Sequence, residues 1–227
     1  MGKILIFVSL LMAGVLSAFS QDRYMAGTLP QANINFSLSN DVKLNVKLES
    51  RQIISERTQR ESGKGSFRYE RTDLGLVLTK KVSINSTLGG GYLIRLEDNQ
   101  LVHRFIQQAN WVNDLNPITV AHRLVIDETF RKTDPTEIRL RYRLGLERAL
   151  SGRQIDPKEL YVKLQNEYLG IWSAAGPDLE IRASTALGYN ATDDNQIELG
   201  FEYRVNEFNQ PSKAHQYWTT ISWFVSI

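Results

Sequence analysis

Ile138-Arg139-Leu140-Arg141-Tyr142-Arg143-Leu144-Gly145-Leu146 is the stretch on which the fold turns. Its even positions are apolar or aromatic, and its odd positions are three arginines and a glycine. A helix would spread those arginines around its circumference, whereas an extended strand places all three on one face. The stretch is therefore a two-sided β-strand, and the question for the whole chain is what each side meets.

The same period of two recurs elsewhere. Val42, Leu44, Val46 and Leu48 alternate with Lys43, Asn45, Lys47 and Glu49. Val82, Ile84, Leu88, Tyr92 and Ile94 alternate with Ser83, Asn85, Thr87, Gly89, Gly91 and Arg95. Ile197, Leu199, Phe201, Tyr203 and Val205 alternate with Glu198, Gly200, Glu202 and Arg204. Weaker versions run through 32–38, 74–78, 160–164, 179–189 and 217–227, while 101–111 and 118–130 are strand-like but alternate poorly. The apolar parity flips between Tyr69 and Leu74, which predicts a bulge near Thr72. Short turns are expected at Ser39-Asn40-Asp41, Thr79-Lys80-Lys81 and Ala191-Thr192-Asp193-Asp194, with longer polar connections over 51–66 and 205–215. The count is eleven strands in a meander. No composition break divides the chain, so residues 21–227 are expected to form one all-β domain.

Residues 1–20 read differently. Lys3 is the only charge before Asp22, the run from Ile4 to Leu16 is almost wholly apolar, and the small residues Ala18 and Ser20 precede Gln21. That pattern describes a secretory signal peptide over 1–20. At about 1.5 Å per residue the apolar run falls short of a hydrocarbon core of about 30 Å. The composition excludes other classes. With Cys 0 the chain has no disulfide, thiolate metal site or cysteine nucleophile. Lys+Arg 27 against Asp+Glu 25 is far from the basic excess of a nucleic-acid binder.

Two architectures bury alternating strands. A soluble sandwich or barrel packs its apolar face inside, whereas a membrane barrel turns that face to lipid and encloses the charges. Three features favour the membrane barrel. The segments are long for soluble strands, which run about 5–6 residues, and suit a tilted span of about 9–11. Trp111, Tyr168, Trp172, Tyr189, Tyr203 and Tyr217 fall near strand ends, where an interfacial girdle belongs. The chain also finishes in mid-strand, with Tyr217, Ile221, Trp223, Val225 and Ile227 forming an apolar face. The mean hydropathy of −0.30 suits a soluble protein, but half of every barrel strand faces a polar lumen and lowers the average.

The terminal strand, Tyr217 to Ile227, resembles the insertion signal of Gram-negative outer-membrane barrels, which most often end in Phe. The chain from residue 21 onward resembles the outer-membrane barrel family catalogued as domain of unknown function 2490. The resemblance rests on residues 34–51, Arg71 to Asp73, His103-Arg104-Phe105, His122-Arg123 and the arginine alternation of 139–143. It implies an antiparallel up-and-down transmembrane β-barrel in the outer membrane and supplies no catalytic residues. Single-chain bacterial barrels have even strand numbers, so 10 or 12 strands are expected, with a missed or irregular strand within 21–31.

On such a barrel the charged positions line the lumen. The basic ones are Lys43, Lys47, Arg51, Arg95, Arg123, Arg139, Arg141, Arg143, Lys163, Arg182 and Arg204. The acidic ones are Glu49, Asp127, Glu137, Glu147, Glu167, Glu180, Glu198 and Glu202. Enclosed charges need partners, so this near balance predicts a salt-bridged interior. Arg139, Arg141, Arg143, Glu198, Glu202 and Arg204 are the candidate constriction, because rings of charge set pore selectivity. A lipid hydrolase on the rim would place His beside Ser with a third orienting group. His103, His122 and His215 have no Ser or acid as an immediate neighbour and no Ser two positions away. His122 is expected to be an interfacial or bulge-displaced ring, and His103 and His215 to be solvated at strand ends. Asp193-Asp194 and Glu97-Asp98 read as turns rather than calcium loops, which need six to eight oxygens. Gly89-Gly90-Gly91 permits a kink or tight packing against an inward arginine or tyrosine.

The reading is an integral outer-membrane barrel with no enzymatic activity, cofactor or metal, in a structural or narrow-channel role. Its partners are outer-membrane lipids and the barrel-insertion machinery, with no nucleic acid. The alternatives are a small-solute porin, a lipid-modifying enzyme and a soluble periplasmic ligand-binding β-barrel.

Overall fold

The computed structural model describes residues 23–57, 64–132, 134–210 and 212–227. The expected signal peptide, residues 1–20, lies outside the described residues. The alternating segments become long strands: β1 (Arg23–Ser37), β2 (Val42–Arg57), β3 (Lys64–Lys81), β4 (Ser86–Glu97), β5 (Gln100–Asp114) and β6 (Ile118–Phe130). The second half supplies β7 (Glu137–Ala149), β8 (Glu159–Ser173), β9 (Gly176–Thr192), β10 (Asn195–Asn206) and β11 (Ala214–Ser226). Each pairs antiparallel with its sequence neighbours, and β1 pairs with β11 to close the barrel. The described residues contain no helix.

The strand number among the described residues is eleven, not ten or twelve. Segment counting along the chain gives this number, and it is the even-number rule that fails. With an odd number of up-and-down strands the first and last run the same way, so closure has to be parallel. The seam runs in continuous register from Arg23 opposite Ala214 to Asn35 opposite Ser226. Residues 23–31 form no separate irregular strand; they are the first part of β1.

The two faces are sorted as a lumen-enclosing barrel requires. Leu140, Leu199 and Phe201 are 39%, 58% and 46% exposed, while Arg139 and Arg95 retain 9% and 4%. The poor alternation of β5 and β6 has a simple cause. Val102, Ile106 and Val125 are buried apolar residues on the inner face, and the outer face carries the polar Gln107 and Glu128. The bulge expected near Thr72 is at Glu70, because Arg51 pairs with Arg71 and the next residue, Gln52, pairs with Tyr69. A second lies at Ile54, skipped between Ala26 opposite Ser55 and Gly27 opposite Ile53. Ile53 beside it is fully buried and Ile54 itself is exposed.

Two connections differ from expectation. Thr79-Lys80-Lys81 belongs to β3, and its turn is Val82 to Asn85. Most of 51–66 is strand, because β2 continues to Arg57 and β3 starts at Lys64. Polar residues continue these strands because cross-strand contacts such as Arg68–Glu56 at 2.8 Å hold them. The glycines of β4 pack against backbone and the side chains of Val77, Thr79 and Gln108, not against an arginine or tyrosine. A Cβ at Gly91 would lie 2.6 Å from the Leu76 carbonyl oxygen and 2.7 Å from the Val77 side chain.

Candidate functional site: the charged lumen

Inward positions on adjacent strands bring oppositely charged side chains together in two networks. On β5 to β7, Asp127 is shared by three guanidiniums. Arg139 Nε donates to Oδ1 at 2.6 Å, Arg141 Nε donates to Oδ2 at 2.9 Å, and Arg104 Nε lies 3.3 Å from Oδ1. Beside it, Arg95 makes two parallel bonds of 2.7 Å each to Asp73, the fork geometry that suits a guanidinium and a carboxylate. On β7 to β10, Glu167 accepts from Arg143 at 2.8 Å and from Arg182 at 3.0 Å. Arg182 also donates to Glu180 at 2.6 Å, and Arg204 pairs with Glu202. Removing one partner of such an enclosed pair costs about 3–5 kcal/mol, because it leaves a buried charge uncompensated.

Aromatic side chains close in on the lumen at two levels. Toward the β10–β11 connection, the fully buried Trp218 packs with Leu29 and Ile53, and Arg51 and Arg204 stand over its ring at 5.2 and 5.7 Å. Toward the other end, Tyr161 donates to Glu198 at 2.9 Å, and Lys163 reaches Glu198 at 2.5 Å and stands over the Phe224 ring. Tyr161 fits only because the wall beneath it is Gly188, where a Cβ would lie 2.1 Å from Cζ of its ring. Between the two levels remains a cavity of about 330 Å³.

All six residues of the expected constriction line this cavity. They do not form one ring. Arg139, Arg141 and Arg143 belong to the Asp127 and Glu167 networks, Glu202 and Arg204 flank the tryptophan, and Glu198 lies lower, with Lys163 and Tyr161. Sequence reasoning missed Arg71, Asp73 and Arg104 as inward charges, and Trp218 and Tyr161 as inward aromatics. Lys43, expected in the lumen, is exposed at the rim. The cavity wall itself carries twelve arginines and lysines against four carboxylates, while Asp127, Glu167 and Glu180 lie buried against their arginines, so the inward charges as a whole stay near balance.

The three histidines are on the outer face, each hydrogen-bonded to a tyrosine hydroxyl on the adjacent strand. His103 Nδ1 is 2.5 Å from Tyr92, His122 Nδ1 is 2.8 Å from Tyr142, and His215 Nδ1 is 2.7 Å from Tyr203. His122 also stacks on Trp111 at 5.1 Å, so it is a ring within the aromatic band. His103 and His215 are half-buried in these pairs rather than simply solvated. Among the described residues no three His, Asp or Glu side chains converge as a metal cage requires. On the C-terminal strand Tyr217, Ile221, Trp223 and Val225 share the outer face, and Ile227 bonds through its backbone to Asn35 and Ser37 of β1.

No curated protein and no solved structure matches the chain. The family described as protein of unknown function (DUF2490) matches residues 26–217, which is nearly the whole barrel. The chain belongs to the DUF2490 family.

Proposed function

We propose that the chain is an integral outer-membrane β-barrel, exported by residues 1–20 and inserted through its C-terminal strand, in which the charged lumen is a narrow channel. The observation that carries this reading is the sorting of the two faces. Leu74, Leu76 and Leu78 on β3, Leu140 and Leu146 on β7, and Ile197, Leu199 and Phe201 on β10 all face outward and are exposed. An apolar surface running round a barrel far exceeds the few hundred Å² that soluble monomers expose in one patch. In contact with acyl chains the same surface is stable, and the enclosed ion pairs keep the strands' charges out of lipid. Trp111, Trp172, Tyr189, Tyr203 and Tyr217, within three residues of their strand ends, suit the two interfaces.

Fractionation of cells expressing the full chain tests the location. The protein is expected in the outer-membrane fraction, and to migrate differently on gels before and after boiling. Recovery in the soluble periplasmic fraction overturns the reading in favour of a soluble ligand-binding barrel. The narrow-channel role is tested separately in planar bilayers. Because Arg141 stands in the cavity wall against Asp127, Arg141→Ala is expected to raise conductance above the small wild-type steps. An unchanged conductance places the constriction elsewhere. A changed outer-leaflet lipid profile on substituting His122 would instead revive an enzymatic role.

A further inference from the structure

We propose that the lumen holds a binding site for a small oxyanion, a phosphate or carboxylate group on a polar solute, centred on Arg123 and its cross-strand neighbour Arg143. This deepens the narrow-channel reading by naming the class of solute. It concerns the folded barrel itself and not its location.

The argument starts from pairing. Asp127 is shared among Arg104, Arg139 and Arg141, and Glu167 between Arg143 and Arg182. Arg123 has neither: among the described residues no carboxylate lies within ion-pair distance of it, and its side chain donates only to the neutral Gln108 Oε1 at 2.6 Å. It also sits directly opposite Arg143 across the β6–β7 ladder, an arrangement of like charges that destabilises a sheet unless something neutralises it. Glu167 pairs with Arg143 but is shared with Arg182, so the charge of Arg123 has no carboxylate of its own.

The second observation concerns unused donors. Among the described residues lining the cavity, every buried side-chain nitrogen or oxygen that lacks a hydrogen bond belongs to an arginine. Nε of Arg123, Nε of Arg71 and Nη2 of Arg104 are such atoms, and Arg104 is only 4% exposed. Buried donors of this kind are costly when left unmet, and guanidinium forks match carboxylate and phosphate oxygens two at a time. The lining residues of β1 and β11 are uncharged and include the amides of Gln31 and Asn33 and the hydroxyl of Thr220. An anion with hydroxyl groups satisfies both sides. The cavity, about 330 Å³, lies at the lower end of the range for small-molecule sites, about 300–1,000 Å³.

Calorimetric titration of the purified, folded barrel in nonionic detergent at low salt tests the site. The probes are inorganic phosphate, glucose 6-phosphate and glucose. Saturable binding of both anions, weakened by added salt, and none of glucose is expected. Arg123→Gln is expected to weaken anion binding by about tenfold or more, the effect of losing a charged hydrogen-bonding partner. It leaves no carboxylate unpaired, and boiled and unboiled gel migration verifies its folding. Arg148→Gln, on the outer face near the end of β7, is expected to bind as wild type does. If Arg123→Gln does not fold, Arg123→Lys decides, because it keeps the charge and loses the fork. The absence of saturable anion binding, equal affinity in the folded Arg123 variant, or equal binding of glucose overturns the site. None of these outcomes alters where the protein fractionates, so the failure of the site and the failure of the membrane reading are separate results.

Discussion

At Asp127 one carboxylate with a fully enclosed side chain stands against three guanidiniums. Asp127→Asn removes the charge and keeps the shape, so its effect reports electrostatics. It is expected to lower stability by about 3–5 kcal/mol. Glu56→Gln, which breaks the exposed pair with Arg68, is expected to cost no more than about 1 kcal/mol. Urea unfolding of the detergent-folded barrel checks both, and equal losses at the two sites would remove the distinction between lumen and surface. The lower aromatic layer makes a steric prediction. Gly188→Ala drives a methyl into the Tyr161 ring and is expected to cost about 1–3 kcal/mol, with Tyr161→Leu in the same chain restoring much of the loss. If the double variant is no more stable than Gly188→Ala alone, the contact is not the cause. How far such residues can be read from sequence depends on their neighbours. Arg139, Arg141 and Arg143 announce the inner face because the residues between them are all apolar. Arg104 and Trp218 do not, because Val102 and Ile106 share a face with the first, and Thr220 and Ser222 with the second.

The strands themselves were legible because each repeats a two-residue code over a length that chance rarely sustains. What blurred them was local: inward apolar residues on β5 and β6, and polar residues continuing β2 and β3 past the last alternating pair. The bulge was legible as a parity flip, and it lies at Glu70, two residues from the expected Thr72, because parity marks an interval and not a residue. That flip makes a sharp prediction. Deleting Glu70 removes the bulge and leaves Arg71 and Tyr69 opposite Arg51 and Gln52 in unbroken register, so Phe67 and Tyr69, now 77% and 48% exposed, keep their outward face. Folding yield, read as the fraction of heat-modifiable protein, is expected to stay near that of the wild type. A steep fall in yield would mean that the extra residue is itself needed for β2 and β3 to pair beyond Arg71. The outer face is tested by Leu140→Arg and Leu199→Arg, each expected to cost about 2–4 kcal/mol of folding into lipid vesicles if it lies at mid-bilayer depth. A soluble barrel tolerates both, since these side chains already face solvent.

At the scale of the whole molecule the strand number decides the closure, and the closure was the feature that local patterning could not supply. The alternation of β1 and of β11 says which side of each faces outward, but nothing in either strand names its partner at the far end of the chain. Eleven up-and-down strands force β1 and β11 into a parallel ladder, whose slanted hydrogen bonds are slightly weaker per residue than antiparallel ones. The seam compensates by length, running in register along nearly all of both strands, and Ile227 extends it by donating to the Asn35 carbonyl oxygen at 2.8 Å and accepting from Ser37 at 2.8 Å. Parallel closure fixes which residues meet. Thr28 pairs with Thr219, and both belong to the outer face. Because the chain has Cys 0, a Thr28→Cys, Thr219→Cys variant carries only the two thiols of interest. Treated with a short thiol crosslinker after folding, it is expected to give an intramolecular product that shifts gel migration after boiling. An Ala32→Cys, Thr219→Cys variant is displaced by four positions, about 13 Å at about 3.3 Å per residue, and is expected to give little product. Efficient crosslinking of the displaced pair, or none of the matched one, would show that β1 and β11 meet in another register or that a further strand lies between them.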